Sequence, residues 1–87
     1  PTYNDWHTLY PLVEEFYPEM AKIRTETSET EYQICVLTKL DCDLSDIAYL
    51  MSVSKAYMST TRKRLSERLF HVHEGGAKLF DQCIKEL

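Results

Sequence analysis

The sequence predicts an all-α fold, a helix-turn-helix set within a compact bundle of about five or six helices. Three observations lead there. Apolar residues recur at steps of three and four along most of the chain, no segment alternates with the period of two that marks a strand, and capping residues punctuate the periodic stretches. The 87 residues allow one domain, 1–87, and a composition 44% hydrophobic and 28% charged is that of an ordered globule rather than a linker.

The N-terminal amphipathic segment, 1–27, carries Trp6, Leu9, Tyr10, Val13, Phe16, Tyr17, Met20 and Ile23 on one helical stripe, with its glutamates expected in water. Pro18 breaks a continuous helix at Tyr17 but suits the start of another, which predicts helices over roughly 3–16 and 18–26.

A core of 28–70 follows. Ser28 and Glu31 have the spacing of a capping box and open a helix over about 29–40, with Ile34, Leu37 and Thr38, flanked by Cys35, on its inner face. Asp43 and Asp46 repeat that spacing before a short helix, about 44–51, whose buried side is Ile47, Ala48, Leu50 and Met51. Val53 plugs the next turn and Ser54 caps a long helix over about 55–70. Gly75 and Gly76 end the connection beyond Phe70, and 77–87 forms a last helix with Phe80, Cys83, Ile84 and Leu87 on one face.

Charge is unevenly placed along this chain of net charge -4. Residues 1–54 hold three basic side chains against ten acidic ones, a balance of -7, whereas 55–73 hold Lys55, Arg62, Lys63, Arg64 and Arg68 against Glu67 alone, a balance of +4. One helix therefore concentrates positive field, as expected of an element that meets phosphate. With Met58 taken as inward, Leu65 and Leu69 fall within roughly 20° of it at 100° per residue, and Ala56, Ser59, Thr60, Lys63 and Glu67 point outward. A short helix, a turn and a longer helix with a polar, basic outer face is the layout of a helix-turn-helix. Small Ala56, Ser59 and Thr60 permit close approach to base edges, Lys63 reaches a guanine edge or a phosphate, and Lys55, Tyr57, Arg64 and Arg68 flank the groove where phosphates lie. Arg62, nearer the core border by phase, is expected to pair with an acidic neighbour.

From Ser28 to Leu69, the stretches SETEYQICVLTKL, DLSDIAYLMSVS and KAYMSTTRKRLSERL resemble the LuxR-type C-terminal effector domain of bacterial transcriptional regulators. The matched features are Asp46-Ile47-Ala48, Leu50 and Val53-Ser54. The continuation RLFHVHEGGAKLFDQCIKEL is similar to versions at the C-termini of Bacteroidetes regulators, often preceded by tetratricopeptide repeats and a membrane segment. The resemblance implies a recognition helix, 55–70, in the major groove, with Ser59, Thr60 and Lys63 meeting DNA, and a homodimer formed through the final helix. Three positions depart from the family pattern: Asp41 stands where glycine is usual, Ser45 where a phosphate-touching Lys is frequent, and Met58 where Val is usual. The first two remove features favourable near DNA and imply weak affinity without a partner.

Cys35, Cys42 and Cys83, odd in number and widely spaced, fit buried thiols in a reducing, cytoplasmic setting. Pro1 in place of an initiator Met predicts a processed or excised chain with a sensory region upstream, and no stretch is apolar enough to suggest membrane contact by this segment. His71 and His73, with Cys83 beyond, lack a second ligand pair for zinc, and a helix-end role on backbone carbonyls is expected instead. His7 is expected at the surface. Neither a nucleophile motif, a phosphate loop nor a paired carboxylate stands out, so neither a catalytic residue nor a cofactor is expected. The competing function class is a protein-interaction or dimerisation module with an unused DNA face, its contacts made through the acidic N-terminal helices or through Leu79, Cys83 and Leu87 of the last helix.

Overall fold

A computed structural model describes residues 2–87, and these form six α-helices with no strand: α1 (Tyr3–Phe16), α2 (Glu19–Thr25), α3 (Glu29–Lys39), α4 (Leu44–Met51), α5 (Lys55–Phe70) and α6 (Gly76–Lys85). Each boundary has a local cause. α1 opens on a capping box that the sequence reading passed over: Thr2 Oγ1 accepts from the Asp5 amide at 3.3 Å, and Asp5 Oδ2 accepts from the Thr2 amide at 2.9 Å. The helix runs through Pro11, which is exposed, and ends where the Tyr17 amide donates to the Val13 carbonyl. Pro18 then precedes α2 as its N-cap.

The Ser28–Glu31 capping box forms as expected, at 3.2 and 2.9 Å. α3 and α4 end in the same way. The Cys42 amide donates to the Leu37 carbonyl and the Asp41 amide to Thr38, while the Val53 amide donates to Ala48 and Ser52 to Tyr49. Both are Schellman closures that need one left-handed residue, supplied by Asp41 (φ 65°) and Ser52 (φ 55°). At the start of α4 the expectation fails: the Asp43 side chain makes no capping bond, so the first amides of α4 have no side-chain acceptor there. Ser54 does cap α5, accepting from the Tyr57 amide at 3.0 Å.

Gly75 (φ 83°) turns the chain into α6, which begins at Gly76 and ends at Lys85 rather than spanning 77–87. A side chain at Gly75 is excluded twice over. Its φ disfavours L residues, and an added Cβ would lie 2.2 Å from Leu79 Cδ1.

Every helix contributes to one core. Tyr10, Met20, Tyr32, Ile34, Val36, Ile47, Leu65, Phe80 and Ile84 are fully buried within it. Each such large apolar side chain contributes about 1.5–3 kcal/mol of burial free energy. Two sequence expectations are corrected. The α1 stripe stops at Val13 because the chain reverses at Tyr17 and Pro18, leaving Phe16 77% exposed and Tyr17 at the surface, and the next buried side chain is Met20 of α2. α4, only eight residues long, fully buries just Ile47 and Ala48, so Leu50 is exposed and Met51 half-buried. No helix among the described residues is long and apolar enough to cross a membrane.

Candidate nucleic-acid interface

α5 divides into two faces. Met58 and Leu65 are buried and Leu69 packs on the core, while Ala56, Ser59, Thr60 and Lys63 are exposed, with Glu67 half-buried. Lys55, Tyr57 and Arg64 are also exposed. The outward face computed from helical phase is the face that solvent meets, except at Glu67, which is half-buried.

Its five cations are not equally available. Arg62 is buried, and its Nε and Nη2 donate to both carboxylate oxygens of Asp81 on α6, with Nη2 also reaching the Ala77 carbonyl at 3.2 Å. This is the acidic partner that the phase argument called for, found far along the chain. Arg68 donates from Nη1 to Glu31 Oε1 at 2.7 Å and from Nη2 to Oε2 at 3.1 Å. A fork-to-fork pair of this kind is geometrically specific, so Arg68 is held toward α3 and a phosphate would have to displace Glu31. Among the described residues, Lys55, Lys63 and Arg64 enter no ion pair. Formal charge along the sequence thus overstates the free positive field, because two of the five charges are spent inside the fold. The sequence signal for Arg68 was its basic context; its partner lies on another helix and carries no local signature.

Beside this face, between the first turn of α4 and the flank of α5, lies a cleft of about 260 Å³ lined by Leu44, Ser45, Lys55, Met58, Ser59 and Arg62.

The proposed dimer residues sit elsewhere. Leu79, Cys83 and Leu87 of the C-terminal segment are half-buried: Leu79 covers Gly75, and Leu87 packs on the core. Lys39 donates to the carbonyls of Lys85 and Leu87 at 3.0 and 2.7 Å, holding this end of the chain against α3. Cys35 is buried, and burial pushes its thiol up to about 12, whereas Cys42 and Cys83 are half-buried.

Sequence reasoning also missed a polar network joining α1, α2 and α3. Tyr32 donates to Glu14 at 2.8 Å, Tyr10 donates to Glu29 at 2.9 Å, and the Arg24 guanidinium lies 4.6 Å from the Tyr10 ring centre while facing Glu14. Glu14 is therefore engaged rather than free in water. Burial raises the Tyr10 phenol to about 12 and also raises that of Tyr32. His7, half-buried, packs between a tilted Tyr3 ring and Tyr10, which it meets edge to face, rather than standing free at the surface. His71 ends α5 in the left-handed conformation through its own backbone amide, and His73 is exposed. Among the described residues no cluster of potential metal ligands forms.

Comparison with protein-family models, with the curated proteins and with the solved structures finds no match to this chain.

Proposed function

We propose that this domain binds duplex DNA as the effector domain of a bacterial, LuxR-like transcriptional regulator, with α4 and α5 as a helix-turn-helix and α5 as the recognition helix. The single observation that carries the reading is the outer face of α5. Small Ala56, Ser59 and Thr60 are bordered by the exposed cations Lys55, Lys63 and Arg64, which enter no ion pair among the described residues, with Tyr57 beside them. Such a face admits a groove edge at its centre and phosphates at its flanks. Two features of the turns support it. Val53 packs on the core in the three-residue connection between α4 and α5, and Asp41, at the position where the resembling family carries glycine, adopts the left-handed φ that glycine serves. In this reading Arg68 orients α5 through Glu31 and leaves phosphate contacts to Lys55, Lys63 and Arg64. The setting is cytoplasmic, and a homodimer would use the exposed parts of Leu79, Cys83 and Leu87.

Fluorescence anisotropy of the domain against mixed-sequence duplex tests the reading. Affinity should fall steeply with salt, since each phosphate neutralised releases counterions. Alanine at Lys63 and Arg64 together should weaken binding with the fold intact.

A second reading rests on the exposed apolar side chains Leu12, Phe16, Tyr49 and Leu50, which a protein-interaction module would use. That reading expects no duplex binding even at low salt.

A further inference from the structure

We propose that the cleft between the first turn of α4 and the flank of α5 is a phosphate seat, built from Lys55, Ser45, Ser59 and the free edge of Arg62. This deepens the DNA-binding reading and rests on it for one source of the phosphate, a diester of the duplex backbone. A free phosphate monoester presents the same oxygens, and the two are separated below.

Four groups of complementary chemistry meet in one concavity of about 260 Å³. The first is the buried guanidinium. The Arg62 side chain is only 6% exposed, and its hydrogen bonds use Nε and Nη2, leaving Nη1 without an acceptor. The sole fully buried side-chain polar atom lacking a partner among the described residues is Ser66 Oγ, so Nη1 reaches solvent. Arg62 lines the cleft, and in the proposed seat an anion there accepts from that nitrogen. Asp81, on the opposite edge, fixes the guanidinium in place and pre-organises it.

The second group is Lys55, an exposed ammonium with no ion pair among the described residues, which gives the cleft its net positive charge. The third comprises the hydroxyls of Ser45 and Ser59, each both donor and acceptor. The fourth is the start of α4. Its first amides have no side-chain cap from Asp43, so they remain free to donate to an anion at the positive end of the helix. Asp46 stands in the same turn, at 100° per residue roughly 160° around the helix from Leu44 and about 100° from Ser45, and neither it nor the N-cap Asp43 lines the cleft. Phosphate oxygens match this set in number and in charge. A carboxylate would leave part of it unused.

The test uses the full chain labelled with 15N and titrated with sodium phosphate at constant ionic strength, sodium chloride being the control. The expected result is saturable shifts of the Leu44, Ser45 and Asp46 amides and of Arg62 Nε, lost in the double variant Ser45→Ala, Lys55→Gln, whose remaining spectrum is unchanged. Absence of localised shifts up to about 50 mM phosphate, more than tenfold above a millimolar dissociation constant, overturns the proposal. The same double variant identifies the source. Weaker duplex binding with a salt slope lower by about one assigns the seat to a backbone diester. Unchanged duplex binding, with the phosphate shifts still lost, assigns it to a monoester. Localised phosphate shifts in a chain that binds no duplex sustain the seat and remove the DNA-binding reading.

Discussion

Arg68 and Glu31 meet edge to edge, two nitrogens on two oxygens at 2.7 and 3.1 Å, and the same Glu31 carboxylate closes the capping box of α3 by accepting from the Ser28 amide. One side chain thus joins the start of α3 to the end of α5.

Replacing Arg68 by alanine should cost about 1 kcal/mol, the modest figure expected because the guanidinium is nearly half exposed. The Arg68 hydrogen bonds, chiefly, hold the Glu31 carboxyl below its ordinary value of 4.5. A depressed carboxyl stabilises the fold above its unfolded pKa and loses that contribution as pH falls through the folded one. The stability difference between wild type and Arg68→Ala should therefore be constant above about pH 5 and shrink below it, as read by urea unfolding at several pH values. A difference that persists undiminished in acid would separate Arg68 from Glu31.

At the alkaline end the sign reverses. Tyr10, raised to about 12 by burial, and Tyr32, raised likewise, must stay protonated in the fold. Their contribution is complete below the ordinary phenol value of 10.0 and lost as pH rises through the folded values. Ultraviolet titration should show these two of the six tyrosines ionising late, together with unfolding. Tyr10→Phe and Tyr32→Phe should remove the late component, and ionisation of Tyr10 and Tyr32 at the ordinary phenol value would refute the buried network.

Arg62→Ala should be the most damaging charge removal on α5. It leaves Asp81 partly buried without its cation, at a cost of about 3 kcal/mol, against less than about 0.5 kcal/mol for the exposed Lys63→Ala. Thermal melts of both variants decide the matter.

Ser52→Gly should stabilise the domain. Ser52 holds φ at 55°, where a Cβ is strained, and glycine relieves this by about 0.5–1 kcal/mol, or several degrees in Tm for a domain of this size. Asp41→Gly should gain less, since it also gives up the exposed 2.9 Å pair with Lys85. An unchanged or lower Tm for Ser52→Gly would show that the left-handed turn carries no strain.

Cys35 should resist a thiol reagent in the native domain while Cys42 and Cys83 react, because only Cys35 is fully buried with its thiol pushed up to about 12. Reaction of all three at one rate would indicate ready local opening.

The helices were legible because their signals are local. The Ser28–Glu31 spacing, Pro18, Ser54 and the step from Met58 to Leu65 each act within a turn or two, and the boundaries they predict agree with the fold to within about two residues. What stayed hidden depends on neighbours distant in sequence. The partner of Arg68 lies on α3, that of Arg62 on α6, and those of Tyr10 and Tyr32 on helices separated from them by a turn or more. The stripe through Phe16 misled because periodicity reports which side chains share a face and not where that face outruns the core. Likewise, helical phase set Arg62 apart from the basic run on α5, but nothing local showed that the fold also engages Arg68.

With Arg62 and Arg68 neutralised internally, Lys55, Lys63 and Arg64 are left as the free cations of α5 among the described residues, while the first 54 residues of this weak net anion carry its acidic surplus, so charge is unevenly placed along the chain. A polyanion repels a net anion from afar, yet its field exerts a torque on unevenly placed charge that turns the more positive side forward. Alignment would then precede touch, sorting encounters by orientation until added salt shortens the reach of the field to about 10 Å or less.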